Sequence, residues 1–405
     1  MGNAVRNIHK QDRIVVMKNV KKDRPIGLGL VGCGGRLRGV VNRLMRHCPS
    51  ARVTALTDPD PLSIANARKT FGADLPACRT VAELVARPDV DWVFIGSWNC
   101  HHAAQVIAAF RAGKNVFCEK PLALSLADAR AMHRAWRQTD RTFAFGLVLR
   151  YSPLYQKLHA LLRAGKIGEI VSFEFNETLE FNHGGHIHGD WRRWRKYAGT
   201  HLLEKCCHDL DLALWLVDDV PARVASFGGL NFFRPANVRH QRRLGRSPNG
   251  WPAYQASRPL HGVNPFTAHK DIVDNQVAIL EFGNGVRATF HTNCNGGILE
   301  RRFYILGTEG AIRADAYTGT IELRRIGWEK KTELWQPVAG GGHAGGDEVM
   351  STGLAATVLG QAPPKAGMAD GIRSLTVALA LDQAMDCGQV VDLRPTWKQL
   401  RSMLS

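Results

Sequence analysis

The stretch Ile26-Gly27-Leu28-Gly29-Leu30-Val31-Gly32-Cys33-Gly34-Gly35-Arg36-Leu37 decides the fold. Its apolar run ends in a glycine turn, and Val40, Val41, Leu44 and Met45 follow at helical spacing, so the segment reads as strand, turn and helix. Gly32 permits the tight turn. Gly34, with Gly35 and Arg36 at the start of the helix, lets backbone N–H groups approach a pyrophosphate where unpaired donors and the helix dipole favour an anion. A second apolar run, Val53 to Thr57, ends in Asp58, 24 residues beyond Gly34. That separation suits an acid bonded to the ribose hydroxyls of a dinucleotide. Its carboxylate repels a 2′-phosphate and favours NAD, while Arg36 and Arg52 keep NADP open. One residue departs from the Gly-x-Gly-x-x-Gly pattern: Leu37 stands where the third glycine belongs.

A chain of 405 residues, 45% hydrophobic and 22% charged, is globular and too long for one ordinary core, which points to two domains. It has no apolar run on the order of 20 residues, the length that spans a bilayer. Residues 1–25 are basic but lack the apolar centre of a secretion signal, and read as a flexible or oligomer-bracing extension. Nine cysteines without a Cys-x-x-Cys pair give no disulfide framework, so the expected location is cytoplasmic. The formal charge of +17 raises nucleic acid as a partner. The basic residues are dispersed, however, and no nucleic-acid-binding signature accompanies them, so neither nucleic acid nor membrane is expected.

The alternation continues through residue 150. Strand Asp91 to Gly96 runs into Ser97-Trp98-Asn99-Cys100-His101-His102, and a helix follows over Ala103 to Ala112. The short strand Asn115 to Cys118 then delivers Glu119-Lys120-Pro121. Carboxyl ends of parallel strands face the ligand crevice, which makes Ser97, Trp98, Asn99, His102, Glu119 and Lys120 cofactor candidates alongside Leu37 and the glycine loop. Lys120 points at the nicotinamide end.

Beyond residue 150 the pattern changes to half-buried strands. Ile170 to Asn176, Asn275 to Phe282 and Val286 to Thr292 alternate, the last two around Gly283-Asn284-Gly285, and Phe303 to Leu306 and Thr320 to Arg325 add two more. The fold expected is a Rossmann domain over 26–150, then an α/β domain over 151–405 with a large, open, mostly antiparallel sheet. Proline-rich residues 231–270 read as an irregular insertion near the site, a substrate lid.

The chemistry falls on a helix expected from Leu202 to Val217. There Glu204, His208 and Asp211 share a face by i, i+4 and i, i+3 spacing. Neutral His208 can take the proton of a substrate hydroxyl while hydride leaves the same carbon. Glu204 fixes the tautomer or relays the proton, and Lys120 stabilises the developing oxyanion. Lys205 is either a further active-site cation or a surface residue. His183-Gly184-Gly185-His186-Ile187-His188 with His201 has the density of a metal site, but a flexible glycine-rich loop is a poor cage and the reaction needs no zinc. It is read as a polar pocket wall, continued by Asp190-Trp191-Arg192, and no metal is expected. Gly341 to Asp347 is a second such loop. Arg150, Trp191, Arg192, Asp211 and His343 are the substrate-binding candidates.

Together the motifs Val31 to Arg36, Asn99 with His102, Gly113 to Leu122, His208-Asp209-Leu210-Asp211 and Gly307-Thr308-Glu309-Gly310 resemble the Gfo/Idh/MocA oxidoreductases over roughly residues 26 to 390. The resemblance implies NAD or NADP as cofactor, catalytic roles for Lys120 and His208, an acidic role for Glu204, and homodimers or homotetramers built through the open sheet face. The Glu204-Lys205-Cys206-Cys207-His208 segment resembles one sub-branch. The expected activity is hydride transfer from a ring hydroxyl of a sugar, glycoside or cyclitol. A redox glycosidase that oxidises, eliminates and re-reduces is one alternative, and a non-catalytic sugar or dinucleotide sensor is another.

Overall fold

Strand β1, Ile26–Val31, is buried along its whole length between β2, Ala51–Thr57, and β3, Trp92–Ile95, both parallel to it. With β4, Asn115–Cys118, and β5, Phe143–Phe145, they form a five-stranded parallel sheet in the order β2-β1-β3-β4-β5. Such runs are apolar on both sides because helices cover both faces. The strand order reverses at β1, so the crevice above the carboxyl ends of β1 and β3 is the place for a ligand. This computed structural model describes residues 24–255, 263–337 and 342–404. The basic extension therefore lies outside the described residues, apart from Arg24 and Pro25.

The second sheet has nine strands: β6 (Ile170–Glu180), β7 (Pro221–Gly229), β8 (Asn275–Phe282), β9 (Arg287–Gly296), β10 (Arg302–Gly307), β11 (Gly310–Asp315), β12 (Thr320–Arg325), β13 (Thr332–Trp335) and β14 (Val391–Asp392). Their order is β13-β12-β11-β10-β6-β9-β8-β7-β14, antiparallel throughout except for the β6–β9 pair. Alternation decides which side is covered. Ala278, Leu280 and Phe282 of β8 point into the core with Phe173, Phe175, Phe290 and Phe303, under helices Pro153–Arg163, Cys207–Val217 and Met368–Cys387. Phe227, Val277 and Ile279 project from the opposite face and are exposed.

One late segment returns to the first sheet. Met350, Leu354, Ala355 and Val358, on helix Gly346–Val358, share a hydrophobic cluster with Leu37, Val40, Val41 and Leu44. Packing of this helix against Gly35–His47 brings the loop before it, residues 342–345, to the crevice.

Two local expectations need correction. Residues 183–188 are not a flexible loop but part of helix Phe181–Gly189, capped by the Glu180 carboxylate on the N–H groups of Asn182 and His183. Its glycines are packing devices. A Cβ at Gly184 would stand 1.8 Å from the Cys294 carbonyl oxygen, and one at Gly185 would stand 1.9 Å from that of Tyr254. The helix expected from Leu202 begins as a π-helical turn, Leu202–Cys206, and becomes α-helical only from Cys207. The insertion has its own small core, where Phe233, Ala253, Tyr254 and Phe266 pack on Leu179, Ile187 and Cys294. It contains a short helix, Arg239–Leu244.

Candidate active site

The glycine loop is shaped for an anion. Gly32 has φ +82°, and a Cβ there would meet the Ser97 nitrogen at 2.5 Å. Gly34 is the N-cap of Gly35–His47 and makes no side-chain cap, while a Cβ added to it meets nothing within 4 Å. The first-turn N–H groups thus have no side-chain cap, and the backbone at Gly34 is open to close approach, as a bound pyrophosphate requires. Leu37 is buried, and a Cβ at Gly96 would stand 2.8 Å from the Leu37 Cβ. Gly96, at the end of β3, leaves the room that a third glycine would leave on the helix. Asp58 accepts hydrogen bonds from the N–H groups of Cys33 at 2.6 Å and Asp60 at 2.8 Å, which fixes its carboxylate at the mouth of the loop. Arg52 donates instead to the carbonyls of Pro49 and Ala51.

Arg36 ties three loops together. Its Nε donates to Glu119 Oε1 at 2.8 Å, and a terminal nitrogen donates to Asp347 Oδ1 at 2.5 Å. The glycine loop, the end of β4 and the loop before Gly346 are therefore held at one point. Next to Glu119, Lys120 Nζ donates to the main-chain carbonyl of Glu204 and lies 3.3 Å from Glu204 Oε1. Arg192 Nε donates to that same oxygen at 3.0 Å. Burial opposes ionisation of Glu204, but Lys120 and Arg192 prevail and hold its carboxyl well below the usual range. Glu204 makes its bonds to these cations and none to His208. The π turn explains this, because its wider winding takes residue 204 out of the i, i+4 row with residue 208.

His208 is 4% exposed, and its Nδ1 has no hydrogen-bond partner among the described residues. Burial and then the charge of Lys120 push its pKa well below the ordinary histidine value, so the ring is neutral. His343 stands across from it with ring centroids 6.1 Å apart, and its Nδ1 bonds Asp347 Oδ2 at 2.9 Å. Next to Arg192, Trp98 stacks on Trp191 at 4.9 Å and 11°, with Tyr197 5.3 Å from Trp98 and the Arg192 guanidinium 4.5 Å from the Trp191 ring centre. A neutral base, a paired ammonium and an aromatic wall meet where the sheet opens.

The description "Oxidoreductase family, NAD-binding Rossmann fold" matches residues 26–147, and "GFO/IDH/MocA C-terminal domain" matches residues 155–313. The chain belongs to the Gfo/Idh/MocA oxidoreductase family. Among curated relatives of this Gfo/Idh/MocA protein, a 1,5-anhydro-D-fructose reductase of Ensifer adhaerens is 28% identical over 78% of this chain and 83% of its own length. An inositol 2-dehydrogenase of Gluconacetobacter diazotrophicus is 32% identical over 48% of this chain and 55% of its own. Levoglucosan dehydrogenase in complex with NADH and levoglucosan superposes with TM-score 0.75 at 20% identity, covering 92% of this chain and 100% of that one. The last likeness establishes the shared fold. The protein is an NAD-binding oxidoreductase.

Several expected site residues turn to other partners in this Gfo/Idh/MocA chain. Asn99 is buried and donates to the Ala198 carbonyl at 2.8 Å. His102, also buried, lies 2.8 Å from the Pro121 carbonyl and 3.2 Å from that of Ser97, so it joins the β3 and β4 loops from behind. Ser97 Oγ donates to Gln105. Arg150 and Asp211 form a bidentate pair at 2.8 Å, with Asp370 at 3.0 Å on the same guanidinium and side-chain exposures of 10% and 2% for the first two. Their charges serve each other at the junction of three helices. Lys205 reaches neither the surface nor Lys120 but pairs with buried Glu177 at 3.2 Å. Arg301 was not legible as a site neighbour. It is buried and clamps Asp209 through two bonds of 2.7 Å and Glu177 at 2.8 Å, and a lone arginine before a strand carries no signal of that. Of the histidine cluster, His188 stacks on Phe233 at 4.5 Å and His201 bonds Thr292. Among the described residues no group of three or more His, Cys, Asp or Glu side chains is arranged to hold a metal.

Proposed function

We propose that the protein is an NAD-dependent dehydrogenase of a ring hydroxyl on a sugar, glycoside or cyclitol, in the sub-branch marked by Glu204-Lys205-Cys206-Cys207-His208. The observation that carries this reading is the Lys120 ammonium, clamped by Glu204 beside neutral His208 at the carboxyl end of β4. The relatives whose names declare a reductase of an anhydro sugar and a dehydrogenase of inositol support the substrate class.

The chain's own residues account for the steps. Gly34 and the first turn of Gly35–His47 would hold the pyrophosphate, and Asp58 would orient the ribose. Bound NAD supplies the hydride acceptor. Trp98, half-buried and backed by the stacked and buried Trp191, offers apolar surface to the C–H face of a sugar ring, a contact that also excludes water. Lys120 then stabilises the oxygen as it loses its proton. His208, kept neutral by its surroundings, is ready to accept that proton. Glu204 and Arg192 hold Lys120 in place. Exposed Phe227 at 68% and Ile279 at 57% on the open sheet face support a homo-oligomer, which sedimentation would reveal.

NADH absorbance, followed with inositols, aldoses, anhydro sugars and glycosides and with NAD or NADP, tests the reading. Stoichiometric NADH with one class is the expected result. Release of aglycone from nitrophenyl glycosides without net NADH would replace it with the redox glycosidase. Dinucleotide binding with neither product would replace it with a sensor.

A further inference from the structure

Beside the Lys120–Glu204 pair the crevice holds a second set of titratable groups that the steps above leave unused. His343 and Ala344 have φ of +54° and +50°, and Gly345 follows at +78°. Two successive non-glycine residues in the left-handed region cost on the order of 1–2 kcal/mol each, and such strain persists only where the surroundings hold it. Here they do. Ser152 Oγ donates to the Ala344 carbonyl at 2.8 Å, and Asp347 is fixed by Arg36 on one oxygen and by His343 on the other. Gly342 is required as well, since a Cβ there would collide with Asp347 Oδ2. The result is a histidine whose Nδ1 is committed to a carboxylate. Its Nε2 takes no hydrogen bond among the described residues.

The two rings differ in access. His208 is 4% exposed, whereas the His343 side chain is 33% exposed. His208 is surrounded by Lys120 from the end of β4, Arg301 from the segment before β10, Lys205 from its own helix and His343 itself. His343 faces Arg36, Arg301 and Asp347. A proton taken by His208 lies among Lys120, Arg301 and Lys205 in a ring that is almost wholly buried. The neighbouring ring offers both the anion and the exit.

We propose that His343, oriented by Asp347, is a second catalytic histidine that receives the substrate's hydroxyl proton from His208 and delivers it to solvent. The inference rests on the dehydrogenase reading. In the balance of that reaction the C–H hydrogen leaves with both electrons for the nicotinamide, and the O–H electrons become the second C=O bond. The remaining proton passes to His208, then through a bridging water across the 6.1 Å between the ring centres to His343 Nε2, then to solvent. Asp347 is a positioning residue: it accepts the Nδ1–H and so leaves Nε2 with its lone pair, the arrangement that makes an imidazole a base. Arg36 couples this dyad to the loop that binds the dinucleotide.

Two measurements decide it. Nitrogen NMR of histidine-labelled, cofactor-free protein reads the tautomer without any substrate: His343 is expected as Nδ1–H, and D347N should abolish that preference. An Nε2–H tautomer in the unaltered protein overturns the proposal. With the ring alcohol that gives most NADH, H343Q should lower kcat by roughly 10²-fold, the scale of one general base, with little change in KM and with recovery on adding imidazole. A merely structural residue would not respond to imidazole. An active wild type with fully active H343Q overturns the relay alone. Silence of the wild type on every ring alcohol, with the tautomer as expected, overturns the dehydrogenase reading and the relay with it.

Discussion

Lys120 Nζ donates to the main-chain carbonyl of Glu204 and stands 3.3 Å from the carboxylate of the same residue. One side chain thus reads both the backbone and the head group of its partner, a residue of the π turn Leu202–Cys206. Lys120→Met should therefore remove the oxyanion partner and lower kcat by about 10²–10³-fold. NAD binding, followed by fluorescence quenching, should be retained, because the glycine loop is untouched. Retained turnover would sink the role given to Lys120. The variant should also be less stable, since it leaves Glu204 with Arg192 alone, and Lys120→Met/Glu204→Gln should be more stable than Lys120→Met.

Leu37 and Gly96 form a complementary pair across the helix and β3. Gly96→Ala would place a methyl 2.8 Å from the Leu37 Cβ, and such overpacking costs about 1–3 kcal/mol. The check is a double-mutant cycle by urea unfolding. Leu37→Gly loses core contacts and helix propensity, yet it removes the Cβ that the new methyl would meet, so it should remove most of the penalty of Gly96→Ala and the two changes should be less than additive. Simple additivity would mean that the two positions do not compensate each other.

The sequence displays the first sheet because its strands are apolar runs that end in chemically distinctive turns, which locate the glycine loop, Asp58 and Lys120, whereas His208 is read from helical spacing in the second domain. The second sheet was visible through alternation. What stayed hidden depends on contacts between distant segments. The π turn has no composition of its own, so Glu204 was assigned to His208 when its bonds go to Lys120 and Arg192. Arg150 and Asp211 carry the residue types of a sugar site but neutralise each other. Gly184 and Gly185 resemble a flexible loop because glycine lowers helix propensity, and only the proximity of the Cys294 and Tyr254 carbonyls explains why a helix needs them.

That last contact is testable. Gly184→Ala raises intrinsic helix propensity by about 1 kcal/mol, so propensity alone predicts stabilisation. The Cβ would stand 1.8 Å from a backbone oxygen, which a small side-chain rotation cannot relieve. The expected result is a loss of more than about 3 kcal/mol, or local opening seen as faster amide exchange across Phe181–Gly189 and the end of β9. A stabilised variant would show that the helix does not pack against Cys294.

Asp382 supplies a pH dependence of known sign. Its carboxyl is buried against Thr200 and Gln276, and burial raises its pKa from 3.8 to about 7. A carboxyl raised on folding binds its proton more tightly in the native state, so between about pH 4 and pH 7 the folded protein holds more protons than the unfolded chain. Stability then falls as pH rises through that window and levels off above it, the reverse of an ion-paired carboxylate. At about 1.4 kcal/mol per pH unit, the effect is on the order of 4 kcal/mol. Thr200 also accepts the N–H of Leu203 at 3.2 Å, which places this carboxyl under the turn that carries Glu204. Asp382→Asn keeps the shape and removes the titration. Its urea midpoint, relative to wild type, should therefore rise steadily from pH 4 to pH 7, and parallel profiles for the two proteins would refute the assignment.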